Sequence, residues 1–478
     1  MKAPRRTARR AILLACAAVA IGTACGSEGD ARDAGAGDSG FKDAGVTDAG
    51  AIDAAVPDSG ATDAGPADAG PLRAVALSAA SAAHGCAVLS DGTVRCWGLN
   101  DNGQLGVAPS ESASRCRVRG SSPSRSVPCE TQGRAVAGVT DAREVATGNG
   151  STCIVRADRS LWCWGLNNAG ELGTGATSLQ PTPTPTRVDL PPVRQVALGA
   201  FHGCALLMDG TVRCWGANRF SQTGTPASTV NQCDEGDGTP VPCVPTPTAV
   251  AGLSGVTGLT AGRNHTCALL GDRTLRCWGL NDSAQLGLGR LDPDTTPQVT
   301  PAAVSLTEVA EVSAGGSHTC ARRADGSLRC WGWAALGQLG GAPSGSCTTA
   351  SGSVPCALGP AAVPDLSGVS GVSAGRFHTC VALTGGGARC FGRDDNGQIG
   401  GGVASTARCS FSFDDFPCAR TPREVPIANA ASVSVGDYHS CALTTDGAVR
   451  CWGNNSYGQL GNGATDDQNA PVSVRLLP

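Results

Sequence analysis

Short apolar runs separated by polar, glycine-bearing turns set the rhythm of this chain. Ala87-Val88-Leu89 and Thr93-Val94-Arg95 alternate on either side of Ser90-Asp91-Gly92, and Asp-Gly between such runs predicts a β-hairpin. A three-residue loop with Gly92 in the left-handed position sets Leu89 opposite Thr93 and carries Cys86 opposite Cys96. A two-residue loop misses that cysteine pairing by one position, so turn chemistry and cysteine spacing select the same register.

The passage occurs seven times, as HGCAVLSDGTVRCWGLNDNGQLG from His84 and HSCALTTDGAVRCWGNNSYGQLG from His439, with copies from Ser151, His202, His265, His318 and His378. Their second cysteines step by about 59 residues on average, within the range of blade-type repeats. Upstream of each core stands a further pair of predicted strands, as at 185–190 and 193–198, which gives four strands per repeat. Equivalents of the leading strand begin near Arg134, Pro247, Pro301, Pro360 and Pro422, whereas the first repeat has none and residues 470–477 fit the missing piece. A C-terminal strand completing the first blade closes a ring and removes the open edges of a linear array. The expected fold is therefore all-β: a seven-bladed β-propeller of four-stranded blades over residues 72–478, closed by that strand.

Composition agrees with a loop-rich chain, at 67 Gly and 29 Pro in 478 residues. Lysine occurs only at Lys2 and Lys42, which removes lysine Schiff-base chemistry and the Gly-Lys-Ser/Thr phosphate loop from the rest of the chain. Net charge is -4, without the basic excess of a nucleic-acid binder, so no nucleic-acid partner is expected. Basic residues at 2–10, an apolar run from Ala11 to Ile21 and small residues before Cys25 predict a secretory signal peptide over 1–25. The run is too short to span a membrane stably. The small residues before Cys25 resemble the cleavage box of bacterial lipoproteins, which implies lipid attachment at Cys25, and Gly26 implies transport to the outer membrane. The alternative is ordinary secretory cleavage nearby. Residues 26–71 carry an aspartate every fifth position from Asp33 to Asp68 and almost nothing apolar, which predicts a disordered acidic tether. Its reach is about 35–40 Å. The protein is thus expected in the cell envelope, anchored or periplasmic, touching membrane only through lipid.

Without Cys16 and Cys25, 22 cysteines remain, all in local pairs. Seven pairs follow the hairpins: Cys86/Cys96, Cys153/Cys163, Cys204/Cys214, Cys267/Cys277, Cys320/Cys330, Cys380/Cys390 and Cys441/Cys451. Four more, Cys116/Cys129, Cys233/Cys243, Cys347/Cys356 and Cys409/Cys418, sit in the longer inter-repeat segments and each end in Pro-Cys. Complete local pairing in an exported chain reads as eleven disulfides. Zinc binding by the His-x-Cys elements is the rival, but those elements fall in different blades and each cysteine has a nearer partner, so neither metal nor cofactor is expected.

The pattern Gly-x-x-His-[Thr/Ser/Gly]-Cys, Asp-Gly, then Trp-Gly-x-Asn-x-x-Gly-Gln-Leu-Gly resembles the regulator of chromosome condensation repeat over about residues 72–478. That resemblance implies a seven-bladed propeller and, among family roles, nucleotide exchange on a nuclear GTPase, which does not suit an exported chain. The family's plant ultraviolet photoreceptor uses Gly-Trp-Arg-His-Thr, where this chain has GRNHT and GRFHT, so light sensing loses its tryptophan. A propeller-type β-lactamase inhibitor shares fold and compartment.

All six histidines occupy one repeat position, replaced by Ser151 in the second copy, which points to a ring hydrogen-bonded within its own blade. The tryptophans of Trp-Gly, with Phe391 substituting once, are expected to pack between blades. No catalytic residue is assigned, as neither Gly-x-Ser-x-Gly nor His-Glu-x-x-His occurs. Functional suspects are the features that break the repeat, the four cystine-pinned loops, above all Phe411, Phe413, Asp414, Asp415 and Phe416. The reading is a monomeric binding scaffold for an envelope or extracellular protein or glycan. Inhibition of an extracytoplasmic enzyme such as a β-lactamase, or an enzyme site at the channel mouth, are the alternatives.

Overall fold

A computed structural model describes residues 72–476 apart from 81–82, 119–124, 228–229, 235–237, 293–295, 350–351 and 412–413. The signal peptide, Cys25, the tether and Phe413 lie outside the described residues. Seven antiparallel sheets follow one another along the chain, at 74–135, 142–187, 193–249, 256–304, 309–362, 369–425 and 430–473, and form the blades of a propeller. In blade one, β1 (Ala74–Ala80), β2 (His84–Leu89) and β3 (Val94–Leu99) run outward from the centre. The next strand along the chain is β4 (Ser114–Arg117), but β5 (Ser126–Ala135) takes the place beside β3, and β4 lies outermost.

The register is that expected from the turn. Cys86 stands opposite Cys96 and Val88 opposite Val94. The Leu89 amide donates to the Thr93 carbonyl at 2.8 Å, with Gly92 at φ 79°. The Asp91 carboxylate accepts from the Thr93 hydroxyl at 2.7 Å and from its amide at 2.9 Å, and the hydroxyl bond holds that carboxyl below its ordinary pKa. The same ladder position recurs in every other blade, where Cys153 faces Cys163, Cys204 faces Cys214, Cys267 faces Cys277, Cys320 faces Cys330, Cys380 faces Cys390 and Cys441 faces Cys451. All seven pairs are disulfide-bonded, with Cα atoms 4.0–4.1 Å apart. Every one of these cysteines is fully buried, so they brace the second strand of a blade to its third and offer nothing to a ligand. The four pairs outside the repeat, Cys116–Cys129, Cys233–Cys243, Cys347–Cys356 and Cys409–Cys418, are bonded as well. Immediately after each Trp the chain needs a glycine: Gly98 sits at φ 102°, and a Cβ there would stand 2.3 Å from the Ala83 carbonyl oxygen.

Ring closure differs from the expectation. The C-terminal strand Gln468–Ser473 pairs with Val449–Gly453 of the seventh blade, not with the first. The strands read as leading a repeat are the outer strands of the preceding blade: Ser178–Arg187 pairs with Leu161–Asn167. A strand that follows a hairpin through a short connection folds back antiparallel onto it, so each blade is completed by the segment after its core and none is composite. The ring closes through side-by-side contact instead. Ala79 N donates to Ser434 Oγ at 2.8 Å, Trp97 Nε1 to the Gln459 carbonyl at 2.9 Å, and Gly133 N to the Arg475 carbonyl at 2.8 Å. Leu460, Val472, Val474 and Leu476 pack with Leu77, Leu89 and Trp97 across this seam.

The histidines also depart from expectation, because their bonds leave the blade. His84 Nε2 lies 3.0 Å from Thr152 Oγ1 of blade two, and the same contact links His202 to Thr266, His265 to Thr319, His318 to Thr379 and His378 to Ser440 at 2.7–2.9 Å. Each hydroxyl donates to a backbone carbonyl of the blade that supplied the histidine, as Thr152 does to Gln104. The hydroxyl hydrogen is thereby committed, so each ring is the neutral Nε2–H tautomer donating to it. The same carbonyls receive the indole N–H of the next blade, as from Trp164 to Gln104 at 2.9 Å and from Trp278 to Gln222 at 2.9 Å. An isolated histidine usually bonds locally; here it faces the neighbouring sheet, because consecutive blades stack through this face of the strand. Burial pushes the pKa of five rings down to about 3 and that of His439 to about 4.

Candidate functional site

The two faces of the propeller are unlike. The Asp-Gly turns lie on one, the turn face, where β1 also begins, so the chain enters the ring there. The other, the loop face, carries the Gly-x-x-His connections and everything between the third and outer strands of each blade. Four blades extend on this face. Their outer strand overshoots the sheet and pairs with an extra short strand: Ser114–Arg117 on blade one, Asn231–Asp234 on blade three, Gly345–Thr349 on blade five and Arg408–Phe411 on blade six. Each added hairpin is pinned by one of the four disulfides outside the repeat, with Cα atoms 5.7–5.8 Å apart. Blades two, four and seven have four strands only. The cysteines of the blade ladders do not contribute to this face: Cys96, Cys163, Cys214, Cys277, Cys330, Cys390 and Cys451 sit within the third strands, fully buried, as do their partners in the second.

Phe411 and Phe416, picked out from sequence, are half-buried members of a larger aromatic cluster spanning blades five to seven. Trp333 meets the edge of Phe411 at 4.9 Å and that of Phe377 at 6.1 Å, and Phe377 lies 5.5 Å from Tyr438. The Arg393 guanidinium sits 4.0 Å from the Phe416 ring centre and 5.2 Å from those of Phe377 and Tyr438. It is fixed by a two-pronged contact to the Asp395 carboxylate, at 2.9 and 2.6 Å. Arg376 lies over the Phe377 ring at 4.7 Å and pairs with Asp437 at 3.3 Å, both nearly buried. Burial raises the Tyr438 phenol above its ordinary range. Beneath the cluster, Cys347–Cys356 and Cys409–Cys418 pack with Trp333 and Leu336.

The aspartates do not join the rings. Asp414 and Asp415 are exposed at the start of the outer strand of blade six, and Asp415 is held by the Ser410 hydroxyl and, through its carbonyl, by Arg408 at 2.6 Å. Sequence reasoning missed Trp333, Phe377, Tyr438, Arg376 and Arg393, although the three aromatics leave a signal. Trp333 is one of two tryptophans outside the repeat position, and the aromatics at 377 and 438 fill the third place of Gly-x-x-His, as Phe201 does in blade three, where blades four and five carry Asn264 and Ser317. Among the described residues no group of three or more His, Cys, Asp or Glu gathers as a metal cage would require.

Comparison with known proteins fits this architecture. The RCC1-like domain model matches residues 34–411, and models of the regulator of chromosome condensation (RCC1) repeat match 430–459 and 446–478. The chain belongs to the RCC1-like domain family. It is 29% identical over 412 residues to the ultraviolet-B receptor UVR8 of Arabidopsis thaliana, covering 84% of this chain and 82% of that one. It is also 27% identical over 394 residues to the E3 ubiquitin-protein ligase HERC2 of Homo sapiens, covering 80% of this chain but only 7% of that protein. Among solved structures it resembles yeast RCC1 (Prp20) in its complex with Kap60, with a TM-score of 0.63 at 21% identity over 80% of this chain and 83% of that one. Human WBSCR16 is similar to the same degree, with a TM-score of 0.61 at 21% identity over 80% and 93% of the two chains.

Proposed function

We propose that this propeller is an extracytoplasmic binding scaffold, lipid-anchored through Cys25, that presents its cystine-pinned loop face to an envelope or extracellular partner. One observation carries the reading: every hairpin that departs from the repeat emerges on the loop face, while the chain enters the ring from the turn face. An anchor on the N-terminal side therefore leaves the hairpins pointing away from the anchored surface. Eleven disulfides support an oxidising compartment. They also hold the hairpins in shape before a partner arrives, which lowers the ordering cost of binding. Protein binding also has precedent in the fold, since yeast RCC1 (Prp20) has been crystallised with Kap60. No step of chemistry is assigned.

The test uses the folded propeller as bait for native envelope extracts, beside a version with the hairpin at 409–418 replaced by a short Gly-Ser turn. A partner captured only by the intact bait establishes the loop face as the binding surface, and a captured hydrolase that loses activity stoichiometrically makes the protein its inhibitor. Equal capture by both baits removes this hairpin from the binding surface.

A further inference from the structure

Resting on the exported compartment proposed above, we infer that the Pro-Thr tracts on the outer edges of blades two and three are acceptors for O-linked sugar, with Thr184 and Thr246 at their centres. Both tracts read Pro-Thr-Pro-Thr, at 183–186 and at 245–248. They occupy one ladder level of adjacent blades, since Thr186 stands opposite Cys163 as Thr248 stands opposite Cys214. The second proline of each tract belongs to blade construction, because Pro301, Pro360, Pro422 and Pro471 hold its level in blades four to seven. The Pro-Thr step before it does not: blade four has Val299-Thr300 there and blade six Arg420-Thr421.

Each tract lies on an open edge. Blade two ends at Ser178–Arg187, and the added strand of blade three, Asn231–Asp234, pairs only with residues 240–243. Successive side chains of a strand point to opposite faces, and here the first proline of each tract turns inward. Pro183 packs on Gly103 of blade one and Pro245 on Gly170 of blade two, so closely that a Cβ on either glycine would come within 2.7–2.8 Å. The alternate positions, Thr184, Thr186, Thr246 and Thr248, are exposed. Proline fixes φ and has no N–H, so the edge stays extended and closed to a further strand while the threonines project from it. Hydroxyls at the seams are committed, as Thr152 is to the Gln104 carbonyl. On the tracts, Thr186 and Thr248 donate only to the carbonyl two residues back, at 3.1 and 3.0 Å, and the Thr184 and Thr246 hydroxyls bond nothing among the described residues. Neither stretch, 174–186 or 239–249, holds a charged residue. Exposed threonine alternating with proline is the composition of O-glycosylated segments.

The co-reactant is a sugar carried on a polyprenyl phosphate, a form of activated sugar that an exported chain meets at a membrane. The threonine Oγ attacks the anomeric carbon, and its proton passes to a base of the transferase. The bond from that carbon to the phosphate oxygen breaks, and the phosphate leaves with the electron pair. Nothing is oxidised or reduced. The sugars stand on the outer rim of the ring, where they cover two unpaired edges.

The test uses the full chain with its own leader, recovered from the envelope of its source cells, reduced, alkylated and digested with trypsin. Peptides 160–187 and 220–263 are read by mass spectrometry with electron-transfer fragmentation. Both should carry sugar-residue mass increments that map to Thr184, Thr186, Thr246 or Thr248. The variant Thr184→Val, Thr186→Val, Thr246→Val, Thr248→Val should lose them from both peptides while its thermal midpoint shows that it is folded. Bare peptides from an oxidised chain in the envelope overturn this inference and leave the scaffold reading intact. A chain that stays reduced in the cytoplasm, with bare peptides, overturns both. Increments that persist in the variant, or that map to other residues, overturn the assignment to these threonines.

Discussion

Two hairpins with the same ten-residue cysteine spacing do opposite jobs in this molecule. Cys204–Cys214 spans a ladder pair inside blade three, whereas Cys233–Cys243 closes a hairpin that rises from the loop face of the same blade. In the first, the key polar groups are committed. His202 reaches Thr266, Trp215 Nε1 donates to the Glu171 carbonyl at 2.7 Å, and the turn carboxylate of Asp209 takes the Thr211 hydroxyl at 2.7 Å. Its cysteines and histidine are buried, so sequence there answers to packing. In the second, the bridge joins the two strands of an added hairpin, and the four examples differ in sequence character: basic, acidic, hydroxyl-rich and aromatic. Seven copies build a rigid ring, and four departures from the repeat give that ring a face.

Acid should undo the first class of hairpin before the second, and this is the largest effect expected. The six buried rings stay neutral in the fold, because burial holds five pKa values near 3 and that of His439 near 4, while an unfolded histidine titrates near 6.5. A depressed histidine pKa means that the unfolded state binds more protons, so stability is full above about pH 6.5 and is lost as pH falls toward 4. Each ring contributes up to about a tenfold loss in the folding equilibrium per pH unit once pH is well below 6.5. Thermal midpoints should therefore fall steeply between pH 6.5 and 4 and be flat between 7 and 8; a flat profile down to pH 4 would mean that the rings are not buried neutral. Trp278→Ala comes next. It empties a fully buried site and removes the indole bond to Gln222, a loss of about 3–5 kcal/mol measurable in denaturant midpoints.

The repeated half of the molecule was legible in the sequence, and the face only in part. Period-two alternation, the Asp-Gly turn and the ten-residue spacing of Cys86/Cys96 all depend on neighbours within eleven residues, and each reappears in the structure in the expected register. What failed required knowing which blade lies beside which. The histidine bonds cross to the next sheet, and residues 470–477 could be assigned to either blade at the seam until the pairing of Gln468–Ser473 with Val449–Gly453 was seen. The aromatic cluster was missed for the same reason: Trp333, Phe377 and Tyr438 come from three blades, more than a hundred positions apart end to end, and no local pattern joins them.

At the seams the chain contains its own control. Where a blade offers a hydroxyl, the preceding histidine bonds it through Nε2 and leaves Nδ1 as its unpartnered nitrogen. Blade one offers Gly85 instead, and His439 Nε2 is buried without a hydrogen-bonding partner among the described residues. A side chain at 85 is obstructed, because its Cβ would come within 2.9 Å of the Trp97 ring. His265→Leu should thus cost about 2 kcal/mol, as it takes the donor from Thr319, while His439→Leu breaks no bond at Nε2 and should cost about half as much or less. Equal losses in equilibrium unfolding would show that the ring's bulk, rather than its hydrogen bond, holds the seam.

On the loop face the order of effects reverses. Phe416 is half-buried, and its ring covers the Arg393 guanidinium, which keeps its contact to Asp395 when the ring is gone. Phe416→Ala should therefore change stability by no more than about 1 kcal/mol, because no buried polar group loses its partner. The same change removes an aromatic ring from the loop face proposed to bind the partner and should weaken capture of that partner at least about tenfold, read by titrating the propeller bait against envelope extract. A blade tryptophan should show the converse, with large loss of stability and association falling only as the folded fraction falls. If Phe416→Ala instead destabilised the ring as strongly as Trp278→Ala, the hairpin at 409–418 would belong with the seven that build the propeller, and its rings would be cover for the disulfide below them.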